Sequence, residues 1–269
     1  MGKTKFFTVC ITCTFVTSFL VGNDMTQKTR AIILRNVQYG DTSIIVTAYT
    51  EMFGIQAYMI KGIRSGGKQS AKLAFYRPAC LLHLEVYHNS LKQINFIKET
   101  NWDIINPTTS TDVVRNLCAS WCVHQVLQCI KEPEANQDIF EFLHDCFIDI
   151  EEKTIDVVAN IPAWFTLRFC KYLGLQMQGS YSLNTPVLDL QEGRFMTADS
   201  KEIIWPVVGI EAEILSKWNK TNDTEKLSSY TLNRQQRHQL LAHIQQYMQL
   251  HVPGYKADGL LNILQDILD

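Results

Sequence analysis

The densest concentration of chemically useful side chains lies between Met59 and Lys72, in the order Met-Ile-Lys-Gly-Ile-Arg-Ser-Gly-Gly-Lys-Gln-Ser-Ala-Lys. Its cations are Lys61, Arg64, Lys68 and Lys72, while Gly62, Gly66 and Gly67 allow the backbone to come close to a ligand. Flexible cations on such a loop suit the tracking of a phosphodiester backbone without reading of bases. The segment is not a GxxxxGK[ST] phosphate loop: Gly62 and Gly67 have the spacing, but Lys68 is followed by Gln69. An ordinary solvated loop is the competing reading, and composition alone leaves both open.

Catalytic constellations are missing from the sequence. His124, His144, His238, His243 and His251 are scattered, and the last pair but one is spaced by five rather than the four that places two ligands on one helix face. There is no His-Glu-x-x-His and no Gly-x-Ser-x-Gly. The expectation is a protein without enzymatic activity, cofactor or metal. Of the eight cysteines, Cys10 and Cys13 form the one CxxC pair, without the second pair a zinc site needs. Cys118, Cys122 and Cys129 recur near one helix face and read as core; Cys80, Cys146 and Cys170 are isolated. No disulfide framework emerges, which fits a reducing, cytoplasmic setting.

The elements that must hold the loop divide the chain by period and by charge together. From Lys28 to Lys98 the signals are strands: Ala31–Leu34, Ser43–Thr50, Ile55–Ile60, Cys80–Tyr87 and Leu91–Ile97, separated by turns at Tyr39-Gly40-Asp41, Met52-Phe53-Gly54 and His88-Asn89-Ser90. Five short strands in so little chain suggest a closed or nearly closed barrel, which removes sheet edges. Helical spacing follows from Thr108 to Pro133, Gln137 to Ile150, Pro162 to Leu173, Val207 to Lys217, Arg234 to Leu250 and Gly259 to Leu268. Between them, residues 176–206 are irregular with β-fragments at Val187–Leu190 and Phe195–Thr197. The net charge of -2 conceals a partition: residues 25–100 carry ten cationic and four anionic side chains, and residues 101–269 carry 13 and 22. A basic barrel on an acidic helical body points to a polyanion partner for the barrel.

Residues 1–24 begin Met-Gly-Lys-Thr-Lys and continue as an apolar, Thr-rich run to Gly22. The run has the chemistry of a signal peptide, is short for a membrane span, and lacks a good small-x-small cleavage pattern. A translation start at Met25 is the preferred reading, with a leader that takes no part in the fold; secretion is the alternative.

The run Thr29-Arg-Ala-Ile-Ile-Leu-Arg-Asn-Val-Gln-Tyr-Gly-Asp-Thr-Ser-Ile-Ile-Val-Thr47, with Thr50-Glu-Met-Phe-Gly54 and Lys61-Gly-Ile-Arg-Ser65, resembles the N-terminal barrel of the bacterial RecO recombination mediators. Tyr247-Met-Gln-Leu-His-Val-Pro-Gly-Tyr255 resembles the end of the same family, so the likeness covers roughly residues 27–268. It implies an α+β, multidomain chain: an OB-fold β-barrel over 25–104, then an all-helical C-terminal domain over 105–269. It further implies binding of single- and double-stranded DNA, annealing of complementary strands, and help in loading recombinase onto DNA coated with single-strand-binding protein. The partners it implies are RecR and the acidic tail of that coating protein; no membrane is involved. Arg35, Tyr39, Lys61, Arg64, Lys68 and Lys72 match the family's basic barrel face and loop. Tyr49, Phe53 and Tyr58 are aromatic candidates that could equally be barrel core.

Many family members carry a four-cysteine zinc module after the segment matching Phe165–Leu175. Here neither Cys nor His occurs between 171 and 237, so a zinc-free variant is expected, with Pro186–Phe195 packing without metal. A pocket for an acidic, hydrophobic-ended peptide needs cations beside apolar residues. Arg168 and Lys171, beside Phe165, Phe169 and Tyr172, rank first for that role, with ordinary surface charge as the competing reading. The alternatives for the whole chain are a protein-interaction scaffold with incidental DNA affinity, or a secreted protein.

Overall fold

A computed structural model of the chain describes residues 26–66, 71–199 and 203–256. The leader, Lys68 and the expected Gly259–Leu268 helix lie outside the described residues. Five strands close into a barrel: β1 (Gln27–Tyr39), β2 (Ser43–Thr50), β3 (Gly54–Ile60), β4 (Leu81–Tyr87) and β5 (Ile94–Ile104), in the order β1-β2-β3-β5-β4. Closure follows from the length of β1. Its first half, Gln27 to Ile32, pairs with β4, and Ala31 to Tyr39 pairs with β2. A bulge between Ile33 and Arg35 bends the strand where it changes partners. β3 then meets β5 in parallel, and a 3-10 turn over Lys72–Tyr76 spans the gap between β3 and β4 and buries Tyr76. This is an OB-fold arrangement.

Alternation fills the barrel. Ile44, Val46, Tyr58, Leu84 and Val86 point inward and pack with Ile63 from the loop after β3. β1 and β5 both run beyond the expected strands, through Arg35–Gln38 and Lys98–Asn101. Those extensions are polar because they pass over solvent-facing barrel surface, which hid them from a hydropathy reading.

Seven helices follow among the described residues: α1 (Pro107–Thr111), α2 (Val113–Cys129), α3 (Gln137–Glu152), α4 (Ile155–Val158), α5 (Ile161–Tyr172), α6 (Gly209–Trp218) and α7 (Arg234–His251). The helix expected from Thr108 onward is broken at Asp112, which is extended and caps α2 by accepting from Arg115 N–H. α1 has no cap of its own and borrows one. The Glu151 carboxylate accepts from Thr108 N–H at 2.9 Å, and from Thr109 N–H and hydroxyl at 2.7 Å. Burial opposes ionisation of Glu151, but these donors outweigh it and hold its carboxyl below the usual range. Its stabilisation is therefore full above the unfolded carboxyl value of about 4.3 and is lost as pH falls through the lower folded value. Glu151→Gln is expected to cost about 1 kcal/mol at pH 7. In urea melts the gap from the parent should close below pH 4; a gap constant with pH would remove the carboxylate from the cap.

The helical second half also contains a small sheet. β6 (Val187–Asp189), β7 (Arg194–Met196) and β8 (Pro206–Val207) form a sheet in the order β7-β6-β8. The two expected β-fragments pair with each other around a turn closed by Gly193 N–H to Asp189 O, and β8 forms where a helix start was read. Leu188, Leu190 and Phe195 bury into the helical core, so apolar packing occupies this segment. A four-cysteine cluster does not fit it, because the donors are not in the sequence. No helix among the described residues is long and apolar enough to cross a membrane.

The barrel and the helices share one core. Ile32, Leu34, Tyr49, Ala79 and Leu81 belong to the same buried cluster as Trp121, Phe140, Phe147 and Phe165. Tyr49 stacks on Phe140 with centroids 6.5 Å apart. Arg30 pairs with Glu51 at 2.8 Å and with Glu141 of α3, and its guanidinium lies 4.8 Å above the Phe140 ring. Asp103 sits 3.1 Å from His83 Nε2 and 2.8 Å from His144 Nε2, tying β4 and β5 to α3. Cys118, Cys122, Cys146 and Cys170 are buried free thiols within this core. Burial pushes Cys170 up to about 12, as it does the half-buried Cys129, so neither is a ready nucleophile.

Candidate nucleic-acid interface

The loop after β3 is held by one apolar side chain between two cations. Ile63, 1% exposed, plugs the barrel core, while Lys61 and Arg64 on either side of it stay in solvent. Arg64 N–H donates to Thr42 O at 2.9 Å, and Ser65 closes a turn onto Gly62 O through both its N–H and its hydroxyl. Gly62 has φ of +69° with open space where a Cβ would stand, so its role is conformational. The bond to Thr42 brings the loop against the β1–β2 turn. Tyr39, 55% exposed, therefore shares a barrel rim with Lys61 and Arg64.

Arg35 is exposed on the outer face of β1, opposite Thr47 and just past the bulge. Lys72 opens the 3-10 turn and lines a cleft of about 300 Å³ with Phe75, Ile97 and Lys98. Phe75 stacks on Trp102 at 4.5 Å in the wall beneath. The described members of the expected set are all on the barrel, and Lys68 lies outside the described residues.

The aromatic candidates resolve differently. Tyr49 and Tyr58 are core, 1% and 0% exposed, and burial pushes the Tyr49 phenol up to about 12. Phe53 is half-buried and stacks on His88 with centroids 3.9 Å apart. Two exposed barrel aromatics were not among these candidates: Tyr87 and Phe96 face each other across β4 and β5, and Lys61 Nζ lies 5.1 Å over the Phe96 ring. Neither stood out in the sequence, although alternation along Ile94-Asn95-Phe96-Ile97 carried the signal once Asn95, 1% exposed, is placed inside.

Arg168 and Lys171 do not come together at a surface. Arg168 is 5% exposed, and its guanidinium donates to Asn219 O and Asn222 Oδ1, binding α5 to the turn after α6. Desolvation lowers its pKa. Lys171 is exposed, in a cleft with Phe142, Trp164 and Tyr172, but that cleft also holds Asp138, Glu141, Asp145 and Asp149. Cations beside apolar side chains without carboxylates occur instead between Lys92 and Lys131, in a cleft of about 620 Å³ lined by Phe53, His88, Leu91 and Pro133.

Comparison with known proteins places both halves. Residues 25–102 match the family described as recombination protein O, N-terminal, and residues 110–258 match recombination protein O, C-terminal. The protein named DNA repair protein RecO of Christiangramia forsetii is 25% identical over 243 residues, covering 90% of this chain and 99% of its own. That of Azobacteroides pseudotrichonymphae is 25% identical over 245 residues, covering 91% and 100%. That of Bacteroides fragilis is 26% identical over 247 residues, covering 91% and 100%.

Proposed function

Since the chain belongs to the RecO family, we propose that it serves DNA repair by binding single- and double-stranded DNA, annealing complementary strands and helping recombinase onto coated DNA. The observation that carries this is the basic rim of the barrel, where Lys61 and Arg64 flank a buried Ile63 and meet the Tyr39 turn. Arg35, Lys68 and Lys72 extend the phosphate-tracking surface. Annealing makes and breaks no covalent bond. It needs phosphate repulsion neutralised and unstacked bases held, which the barrel surface supplies without an enzymatic centre. The acidic helical region repels DNA and suits protein partners, RecR and the tail of the single-strand-binding protein. For that tail Lys171 remains the available cation of the expected pair, since Arg168 is buried and its guanidinium donates to Asn219 O and Asn222 Oδ1. The Lys92 and Lys131 cleft offers the same chemistry with no carboxylate in its lining.

Replacing Lys61, Arg64 and Lys72 together by Ala is expected to weaken binding of a labelled single strand at least tenfold. It should also reduce the slope of log affinity against log salt by about 2, from roughly 0.7 per phosphate contact. Fluorescence anisotropy across a salt series measures both. Unchanged affinity and slope would take the loop out of the mechanism, and a parent chain that binds no oligonucleotide at low salt would favour the scaffold reading. A strand-annealing assay with and without the coating protein tests the mediator step.

A further inference from the structure

The cleft of about 620 Å³ between the barrel and the segment after α2 combines apolar side chains with two cations. Leu91 is 94% exposed and Met52 51%, so two large apolar side chains of its lining stand in solvent. Lys92 comes from the connection between β4 and β5, and Lys131 from the chain just after α2. Lys131 Nζ donates to Leu127 O at 2.6 Å at the end of α2 and has two further N–H for a carboxylate. On the cleft wall, His88 Nδ1 is buried without a hydrogen-bond partner among the described residues, a polar atom that calls for a group from outside. The last described residue is fixed close by. Lys256 N–H donates to Gln128 Oε1 and Gln128 Nε2 donates to Lys256 O, both at 3.0 Å, while Tyr255 is 8% exposed and donates to Gln125 Oε1. Lys131 lies three residues beyond Gln128, at most about 11 Å away.

After Lys256 the sequence continues Ala-Asp-Gly-Leu-Leu-Asn-Ile-Leu-Gln-Asp-Ile-Leu-Asp, residues 257–269. Its charged side chains are Asp258, Asp266 and Asp269, with no Lys or Arg. Leu260, Ile263, Leu264, Ile267 and Leu268 have the spacing of one helix face. We propose that this C-terminal segment docks in the cleft of its own chain, apolar face inward, with Lys92 and Lys131 taking its carboxylates. Reach, size and charge select this occupant. The segment can extend up to about 45 Å from Lys256, and a helix over 259–268 is about 15 Å long. Its carboxylates are repelled from the other large cleft of the helical half, which holds Asp138, Glu141, Asp145 and Asp149. The cleft of Lys92 and Lys131 has no carboxylate in its lining. One consequence rests on the functional reading above: an acidic, apolar peptide of a partner reaches this cleft by displacing the C-terminal segment, which thereby sets the affinity for that partner.

The test titrates a fluorescein-labelled synthetic peptide of residues 257–269 with three full-length proteins: the parent, the double variant Leu264→Asp and Ile267→Asp, and that variant with Lys92→Glu and Lys131→Glu added. A tethered segment has a millimolar effective concentration, so the parent should mask its cleft and bind the free peptide weakly. Dislodging the segment should raise peptide affinity by about tenfold or more, and reversing the two lysines should cancel the gain. Circular dichroism should show the three proteins melting close together, because a surface contact is lost and no core is opened. Equal peptide affinity of the parent and the double variant would overturn the proposal, as would a gain that survives reversal of the lysines. Unfolding of the double variant would also overturn it, by placing the segment in the core. A parent dimer in sedimentation velocity that the double variant loses would give the cleft to the segment of a second copy instead. Unlabelled Asp-Asp-Asp-Ile-Leu should compete for the cleft of the double variant. Failure to compete, with the masking intact, would leave the docking in place and bring down the functional reading of the cleft alone.

Discussion

Gly54→Ala should lower the melting temperature by about 5 to 15 °C in a single transition, although the residue only opens β3 after the turn from β2. Two effects combine at this glycine. Its φ is +62°, in the left-handed region, which costs an L side chain about 1 to 2 kcal/mol. A Cβ there would also stand 2.2 Å from Glu134 O, a backbone atom of the segment joining α2 to α3. A backbone carbonyl cannot rotate away as a side chain does, so the two segments must separate, at about 1 to 3 kcal/mol. Gly40 supplies the matched control: φ is +61°, with nothing within 4 Å of the Cβ position. Gly40→Ala should show the conformational cost alone. Gly54→Asn, which tolerates the left-handed region but adds a Cβ, should be nearly as harmful as Ala. Equal melting temperatures for the alanine variants at 40 and 54 would contradict the close approach.

A single transition is expected because the boundary visible in the sequence is not a boundary in the core. Strand and helix periods change near residue 104, and the charge changes sign there too, so the two architectures were legible from alternation and spacing. What joins them was not. Tyr49 reads as one of several aromatic candidates on a strand, yet it belongs to the helical core through Phe140; Arg30 counts among the ten cations of residues 25–100, yet it is paired with Glu51 and Glu141. The contacts with Phe140 and Glu141 join residues about a hundred positions apart, which no local pattern encodes. The basic loop was legible because like-charged side chains with glycines carry their chemistry locally. The exposed pair of Tyr87 and Phe96 was not, because it exists only once β4 and β5 are in register. Arg168 shows the opposite error: a cation beside aromatics on a helix looks like a surface clamp, and burial turns it into an internal brace.

The same continuity governs the second large effect, Trp121→Ala, which should cost about 3 to 5 kcal/mol. Trp121 on α2 is 0% exposed, and its indole N–H donates to Thr166 Oγ1 on α5 at 2.9 Å. The Thr166 hydroxyl donates in turn to Pro162 O at 2.8 Å, so the indole satisfies the remaining acceptor of a buried hydroxyl. Truncation leaves a cavity in a core that α3, α5 and α7 also line, and those helices cannot all collapse onto it. The polar part separates from the cavity by substitution. Thr166→Val strands the indole N–H and should cost about 1 to 3 kcal/mol; Trp121→Phe keeps most of the volume and should cost about as much. The double variant, with neither donor nor acceptor, should be less damaged than the two single losses predict. Strict additivity in urea unfolding would mean that the hydrogen bond contributes nothing. Because Ile32, Leu34 and Tyr49 are part of the same cluster as Trp121, the barrel should lose its DNA-binding surface in the same transition as the helices. A net stability of about 5 to 15 kcal/mol leaves little margin after such a loss. Anisotropy with a labelled single strand, followed through the Trp121→Ala melt alongside circular dichroism, should therefore give coincident curves. A barrel that keeps binding DNA after the helices have melted would show that the shared core does not couple the two halves.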